Sequence, residues 1–309
     1  MTRNQVDIYA RGKVLLTGEY AVLAGATALA FPARRGQQLR VLPDNQSNTL
    51  YWESLDPDGK WFSAELSLQP LDLLATSDAN TAQRLLTLLV EIQHLSPGFL
   101  DCKNGWKVIT KADFPRGWGL GTSSTLIHLL ARWAEINPYT LLERTLGGSG
   151  YDVACAGAEH PILYRRTTQG PEIREVSFRP AYLDQLYLVY SGRKQSTAEE
   201  LLQYSAGSIP AGVLEEVSSL SLQILEAPTM KEFRYYIDVH ENLISRLLKR
   251  DVIKKQRFSD YPGTIKSLGA WGGDLLLFVW DDDPVALLEY LRRHDLNTLI
   301  PFRELLLTD

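Results

Sequence analysis

Cysteine is nearly missing from this chain: only Cys102 and Cys155 occur, far apart, so they supply neither a disulfide framework nor a CxxC metal site. The five histidines (His94, His128, His160, His240 and His294) never fall in an HxxxH or HxH pair, which argues against a protein-bound zinc. Positive charge is not in excess either. Lys and Arg number 32 against 37 Asp and Glu, for a net charge of -5, and the paired basic residues are scattered among acids. Nucleic acid is therefore not an expected partner. No run reaches the ~18 apolar residues of a membrane span, and the opening MTRNQVDIYARGK has no apolar signal region. Neither repeats nor low-complexity tracts occur. The expectation is a cytoplasmic protein with no membrane contact.

What is there is an ordinary globular composition, 45% hydrophobic and 22% charged over 309 residues, enough for one large domain or two smaller ones. From Val6 to Phe31 the chain is apolar and β-leaning, broken by Gly12, Gly18 and Gly25. Turn signals around Pro43–Asn48 and at Asp56-Pro57-Asp58-Gly59 separate short strands. Asn80–Leu95 reads as a helix and Gly105–Ala112 as a strand. After Thr122, the residues Leu126, Leu129, Leu130 and Trp133 fall on one helical face, and Asn137-Pro138 closes that helix. A boundary is expected near Phe178-Arg179-Pro180, giving domains 1–180 and 181–309. Beyond it come a strand (Leu186–Tyr190), helices through Glu199–Leu202, Val213–Leu225 and Phe233–Lys249, a strand Asp274–Trp280 and a closing helix. Strands and helices do not alternate regularly, so the fold class is α+β rather than a doubly wound sheet.

The strongest local signal is Gly117-Trp118-Gly119-Leu120-Gly121-Thr122-Ser123-Ser124, set between a strand and an amphipathic helix. Glycines let backbone approach a ligand, and a helix start offers free N–H groups and a positive dipole end, both suited to phosphate. No GK[ST] follows, so this is not a Walker loop. Taken alone, the pattern also suits a glycine turn with a Ser/Thr helix cap.

Two further segments add to it: Arg11-Gly12-Lys13-Val14-Leu15-Leu16-Thr17-Gly18-Glu19-Tyr20-Ala21-Val22-Leu23, and Lys266-Ser267-Leu268-Gly269-Ala270-Trp271-Gly272-Gly273. In order and spacing the three resemble the signature motifs of the GHMP kinase superfamily, which includes galactokinase, homoserine kinase, mevalonate kinase and phosphomevalonate kinase. A fourth, Gly148-Ser149-Gly150-Tyr151-Asp152-Val153-Ala154, resembles the aspartate motif of the mevalonate and phosphomevalonate kinases and of the GYDIA subgroup. The resemblance runs from about residue 6 to about residue 280.

It implies a two-domain α+β fold with the active site in an interdomain cleft, and an ATP-dependent kinase using Mg2+. Gly117, Gly119, Leu120, Gly121, Thr122, Ser123 and Ser124 would cradle the ATP phosphates. Ser123 and Glu143 would ligate Mg2+, Asp152 would be the catalytic base and Lys13 its ion-pair partner. Gly269, Gly272 and Gly273 would form the third-motif loop against the phosphates. Glu19, Tyr20, Arg193, Lys194 and Thr197 are the acceptor-binding candidates, Arg193 and Lys194 as a cationic seat for a phosphorylated acceptor. The acceptor would be a small molecule of the mevalonate pathway, mevalonate or 5-phosphomevalonate, and a homodimer is compatible with this. Arg11 stands where the family usually has proline, Trp271 where it has a small residue, and Thr122 replaces the first serine; Glu143 lies closer to Asp152 than in typical mevalonate kinases. The residues alone leave Asp152 open as a helix cap and Glu143 as a surface carboxylate. A non-catalytic binding protein on the same fold, a kinase of another alcohol such as a sugar or homoserine, and a diphosphomevalonate decarboxylase-like enzyme are the other readings. The joint presence of Lys13, Ser123, Glu143 and Asp152 argues against the first of these.

Overall fold

Alternating burial marks the strands between residues 49 and 68. The structure, a computed structural model, describes residues 5–44, 48–101, 104–192, 209–269 and 273–309. Strand β1 (Val6–Leu15) pairs with β2 (Ala28–Asp44), which runs for 17 residues. In β3 (Thr49–Asp56), and in β4 (Gly59–Leu68) from Phe62 on, every second residue is buried, with Leu50, Trp52, Phe62, Ala64 and Leu66 on the inner face. The expected Asp56–Gly59 turn joins them, Asp58 N–H donating to Asp56 Oδ1 at 3.0 Å.

The chain divides into two compact units that interleave in sequence, where a single cut near residue 180 was expected. The first comprises residues up to 12, 35–116 and 120–157; the second comprises 13–34, 117–119 and 158–309.

In the first unit the strand order is β5 (Leu71–Thr76), β4, β3, β6 (Gly105–Ala112) and the second half of β2. All neighbours are antiparallel except β3 and β6. Helix α1 (Ala79–Leu95) is capped by Asp78, whose carboxylate accepts from Thr81 N–H. It packs with α2 (Thr122–Ala134), α3 (Pro138–Arg144) and α4 (Tyr151–Gly157) into one core, where Leu85, Leu89, Ile92, Ile127, Leu130 and Trp133 meet the inner face of the sheet. Helix α2 is buried more widely than the single predicted face, since Ile127, Ala131 and Ala134 are also covered. It ends at Ala134 with Glu135 left-handed; Asn137 does not close it but caps α3, accepting from Tyr139 and Thr140 N–H. An asparagine before proline serves a helix start as well as a stop, and the α2 end is made by backbone conformation instead.

In the second unit the first half of β2 pairs with β7 (Ile162–Thr167), and β7 with β8 (Gly170–Glu175), all antiparallel. A separate sheet has the order β10 (Ile265–Leu268), β11 (Leu275–Val279), β9 (Leu186–Tyr190), β12 (Ile300–Pro301). The continuous apolar run of β11 fits its place between two strands with all five residues buried. Helices α5 (Ala211–Glu226) and α6 (Met230–Leu248) pack on each other, and their apolar faces meet Tyr20 and Ala21. Shorter helices α7 (Ile253–Arg257), α8 (Pro284–Arg292) and α9 (Phe302–Leu305) complete the unit. The expected helix at Glu199–Leu202 lies outside the described residues. No described helix is long and apolar enough to cross a membrane.

Candidate active site

After β6 the chain makes a short turn at Arg116–Trp118 and then takes left-handed conformations at Gly119 (φ 68°) and Gly121 (φ 90°). At Gly119 space also forbids a side chain, because a Cβ would lie 2.7 Å from Cβ of Asp274. Gly121 is the N-cap of α2 and offers no side chain to the first-turn N–H groups. Ser124 Oγ donates back to Gly121 O at 2.9 Å, and Thr125 donates to Gln37 Oε1 at 2.7 Å. The exposed hydroxyl of that turn is therefore Ser123. Uncapped N–H groups at the positive end of a helix, beside two bare glycines, make an anion cradle.

Both first-motif residues at the end of β1 touch this loop. A Cβ on Gly12 would sit 3.0 Å from Leu120 O, closer than side chains usually come, so glycine eases that approach. Lys13 donates from Nζ to Gly119 O at 2.8 Å. Its ammonium thus stands at the middle of the glycine loop, where it can also meet a phosphate oxygen. In the third motif Gly269 and Gly273 are left-handed, and a Cβ on Gly273 would lie 2.5 Å from Leu275 O. Asp274 follows, its carbonyl accepting from Ser191 N–H at 2.9 Å and its side chain lying against Gly119.

Within the first unit, α3 and α4 both pack on α2 and bring their acids to the same bundle. Glu143, on α3, is exposed. Asp152 is half-buried in the first turn of α4, with Oδ1 accepting from Val153 N–H at 3.0 Å. No group of three or more His, Cys, Asp or Glu among the described residues could cage a metal. Mg2+ commonly takes only one or two protein oxygens and completes its shell with water and phosphate. An exposed serine hydroxyl beside an anion cradle and an exposed carboxylate on the adjoining helix suit that role.

Glu19 and Tyr20 are placed differently from what an acceptor contact suggests, for both are buried. Glu19 Oε1 accepts from Lys266 Nζ at 2.7 Å, and Lys266 also donates to Glu241 Oε1 at 2.9 Å. His240 Nε2 accepts from Gly18 N–H at 3.1 Å, and its Nδ1 lies 3.3 Å from Lys266 Nζ. Burial and the Lys266 charge hold His240 well below its usual range, so it is neutral. Burial pushes the Glu19 carboxyl up to about 7, against the pull of Lys266. Sequence reasoning missed Lys266, His240, Glu241 and Asp274; the one signal was Lys266 opening the third segment. Arg193, Lys194, Thr197, Gly272 and Trp271 lie outside the described residues.

No protein-family model matches the sequence, and no curated sequence relative does. Solved structures do match, and the fold they share with this chain is the α+β fold of the GHMP kinases. The chain is similar to mevalonate kinase of Methanococcus jannaschii, with a TM-score of 0.68 and 17% identity over 97% of this chain and 98% of that one. It is equally similar to Streptococcus pneumoniae phosphomevalonate kinase in complex with phosphomevalonate and AMPPNP, with a TM-score of 0.68 and 15% identity over 94% and 97% of the two chains. Lactococcus lactis galactokinase complexed with galactose follows, with a TM-score of 0.66 and 11% identity over 99% and 94%.

Proposed function

We propose that this protein is an ATP-dependent small-molecule kinase that transfers the γ-phosphoryl group to an oxygen of a mevalonate-pathway acceptor, mevalonate or 5-phosphomevalonate. The observation that carries the reading is the Gly117–Ser124 loop, with Gly119 packed against Asp274, Gly12 of β1 packed against Leu120, and Lys13 donating to Gly119 O. In this reading the loop and the first turn of α2 hold the triphosphate through backbone N–H groups, and Lys13 balances its charge. Ser123 and Glu143 would hold Mg2+, which would supply charge neutralisation to the phosphates. Asp152 accepts the acceptor's proton as its oxygen attacks phosphorus and ADP leaves, and Lys13 is its ion-pair partner. The enzyme works in the cytoplasm. Arg193, Lys194 and Thr197 take the acceptor, the two cations as the seat for its phosphate. The phosphomevalonate and AMPPNP bound by the Streptococcus pneumoniae structure support this pair of substrate classes.

The test is ADP release with Mg·ATP and a panel of mevalonate, 5-phosphomevalonate, galactose and homoserine. Turnover with one of the first two is expected. Turnover with galactose or homoserine alone would remove the pathway assignment, and no nucleotide binding at all would remove the kinase reading.

A further inference from the structure

Lys266 is wholly buried in β10, yet it is the hub of a charged cluster whose members are 247 residues apart on one side and 25 on the other. Its two carboxylates, Glu19 and Glu241, are also buried, and one oxygen of each has no hydrogen-bond partner among the described residues. Such a cluster is poor as a source of stability. Taking three charges out of water costs more than apolar residues of the same volume, and buried ion pairs have often been replaced by such residues without loss. Something other than stability has to account for it.

Its position supplies the account. Glu19 and Gly18 form the turn that follows β1, and both are gripped: Glu19 by Lys266, and Gly18 N–H by His240. The turn is strained at Tyr20. Gly18, having no Cβ, takes φ 90° without cost at a point where a Cβ would lie 2.7 Å from Cβ of Ala28. Tyr20, which is not glycine, is held at φ 60° and ψ -41°. Backbone strain of this kind costs on the order of 1–3 kcal/mol and persists only where the surroundings over-determine it. Two segments leave the cluster. Back along β1 lies Lys13, bonded to Gly119 O; forward along β10 the chain turns at Gly269 and returns at Gly273 to Asp274, packed on Gly119.

We propose that Lys266 is a positioning residue for nucleotide binding: through Glu19, Glu241 and His240 it ties the turn after β1 to β10 and so fixes the two arms, Lys13 and Asp274, that hold Gly119 of the phosphate loop. Lys266 touches neither nucleotide nor acceptor and acts through those arms. This rests on the kinase reading above.

Full-length protein is measured for binding of a non-hydrolysable Mg·ATP analogue by calorimetry and for thermal unfolding. Lys266→Met leaves two buried carboxylates without a cation, so both its unfolding midpoint and its affinity fall. The deciding variant is Glu19→Gln/Glu241→Gln/Lys266→Met, which removes all three charges together. Its midpoint is expected to recover to near wild type while nucleotide affinity stays at least about tenfold weaker, because the Glu19–Lys266 tie is not restored. If that variant does not fold, the isosteric Glu19→Gln alone serves, with a severalfold loss of affinity expected. Wild-type affinity in a folded triple variant, or in Glu19→Gln where the triple does not fold, overturns the proposal while leaving the kinase reading intact. A wild-type protein that binds no nucleotide overturns the kinase reading and this proposal with it.

Discussion

Asp152 occupies a place in which a carboxylate can be held without being used up. Its Oδ1 takes the N–H of Val153 in the first turn of α4, where the helix dipole favours negative charge. The residue remains half-exposed. If it removes the acceptor's proton, Asp152→Asn keeps the shape and the Val153 bond but loses the base. Turnover should then fall by roughly 10²–10⁴ while nucleotide affinity is nearly unchanged. Steady-state kinetics beside nucleotide titration separates the two, and a variant with wild-type kcat would return Asp152 to the role of a helix-start residue. The family resemblance makes Lys13 the ion-pair partner of this aspartate. The structure gives it a hydrogen bond to Gly119 O, a use that no residue pattern could announce because the acceptor is a backbone carbonyl 106 residues away.

At the scale of elements, α2 and α3 carry the two proposed metal ligands, Ser123 and Glu143. The caps explain why they are presented as they are. Gly121 leaves the start of α2 uncapped, whereas Asn137 ties down the start of α3 and so sets where Glu143 emerges, two turns on. Ser123→Ala and Glu143→Gln should each raise the Mg2+ concentration for half-maximal rate by ~10-fold, with less effect at saturating metal. An unchanged metal dependence in Glu143→Gln would make that residue an ordinary surface carboxylate of α3.

These elements were also the ones best legible beforehand. The strand Gly105–Ala112, the glycine loop and the Thr122 helix follow from local pattern, and local pattern is what a sequence displays. Strands β2 to β4 were less so. Turn residues marked their ends, but nothing local says that β2 continues for 17 residues and serves two units. The Lys266 cluster was illegible for another reason. His240 and Glu241 sit on a helix rich in charge, where a solvated face is the ordinary reading, and only the packing of α6 against β10 shows them to be interior.

For the whole molecule, the buried cluster gives stability a pH dependence whose sign can be worked out. An unfolded Glu19 titrates near 4.5, and the folded one is pushed up to about 7, mainly by burial. Between those values the folded protein keeps a proton that the unfolded chain has released, so stability falls as pH rises through the window. Glu241, also raised by burial, acts in the same direction. His240 opposes them below its ordinary 6.5, since there the unfolded chain binds a proton that the folded one refuses. Comparison with Glu19→Gln isolates the first effect. The difference in unfolding midpoint, wild type minus variant, should decline by several degrees from pH 5 to pH 8. A difference that stays flat across that range would show that Glu19 titrates normally in the folded state.

One further feature concerns the order in which the protein can come into being. Ala33, beside the end of the first segment of the second unit, bridges to Leu306, and Pro32 O accepts from Leu307 N–H at 2.9 Å. A ribosome adds roughly 5–20 residues each second. Residues 32 and 33 therefore wait on the order of tens of seconds before their partners exist, with their apolar neighbours Leu29, Ala30 and Phe31 already made. Until then the second unit cannot close around them, and whatever shields that stretch in a growing chain, a chaperone or the rest of the nascent protein, has to do so until residues 306 and 307 are made.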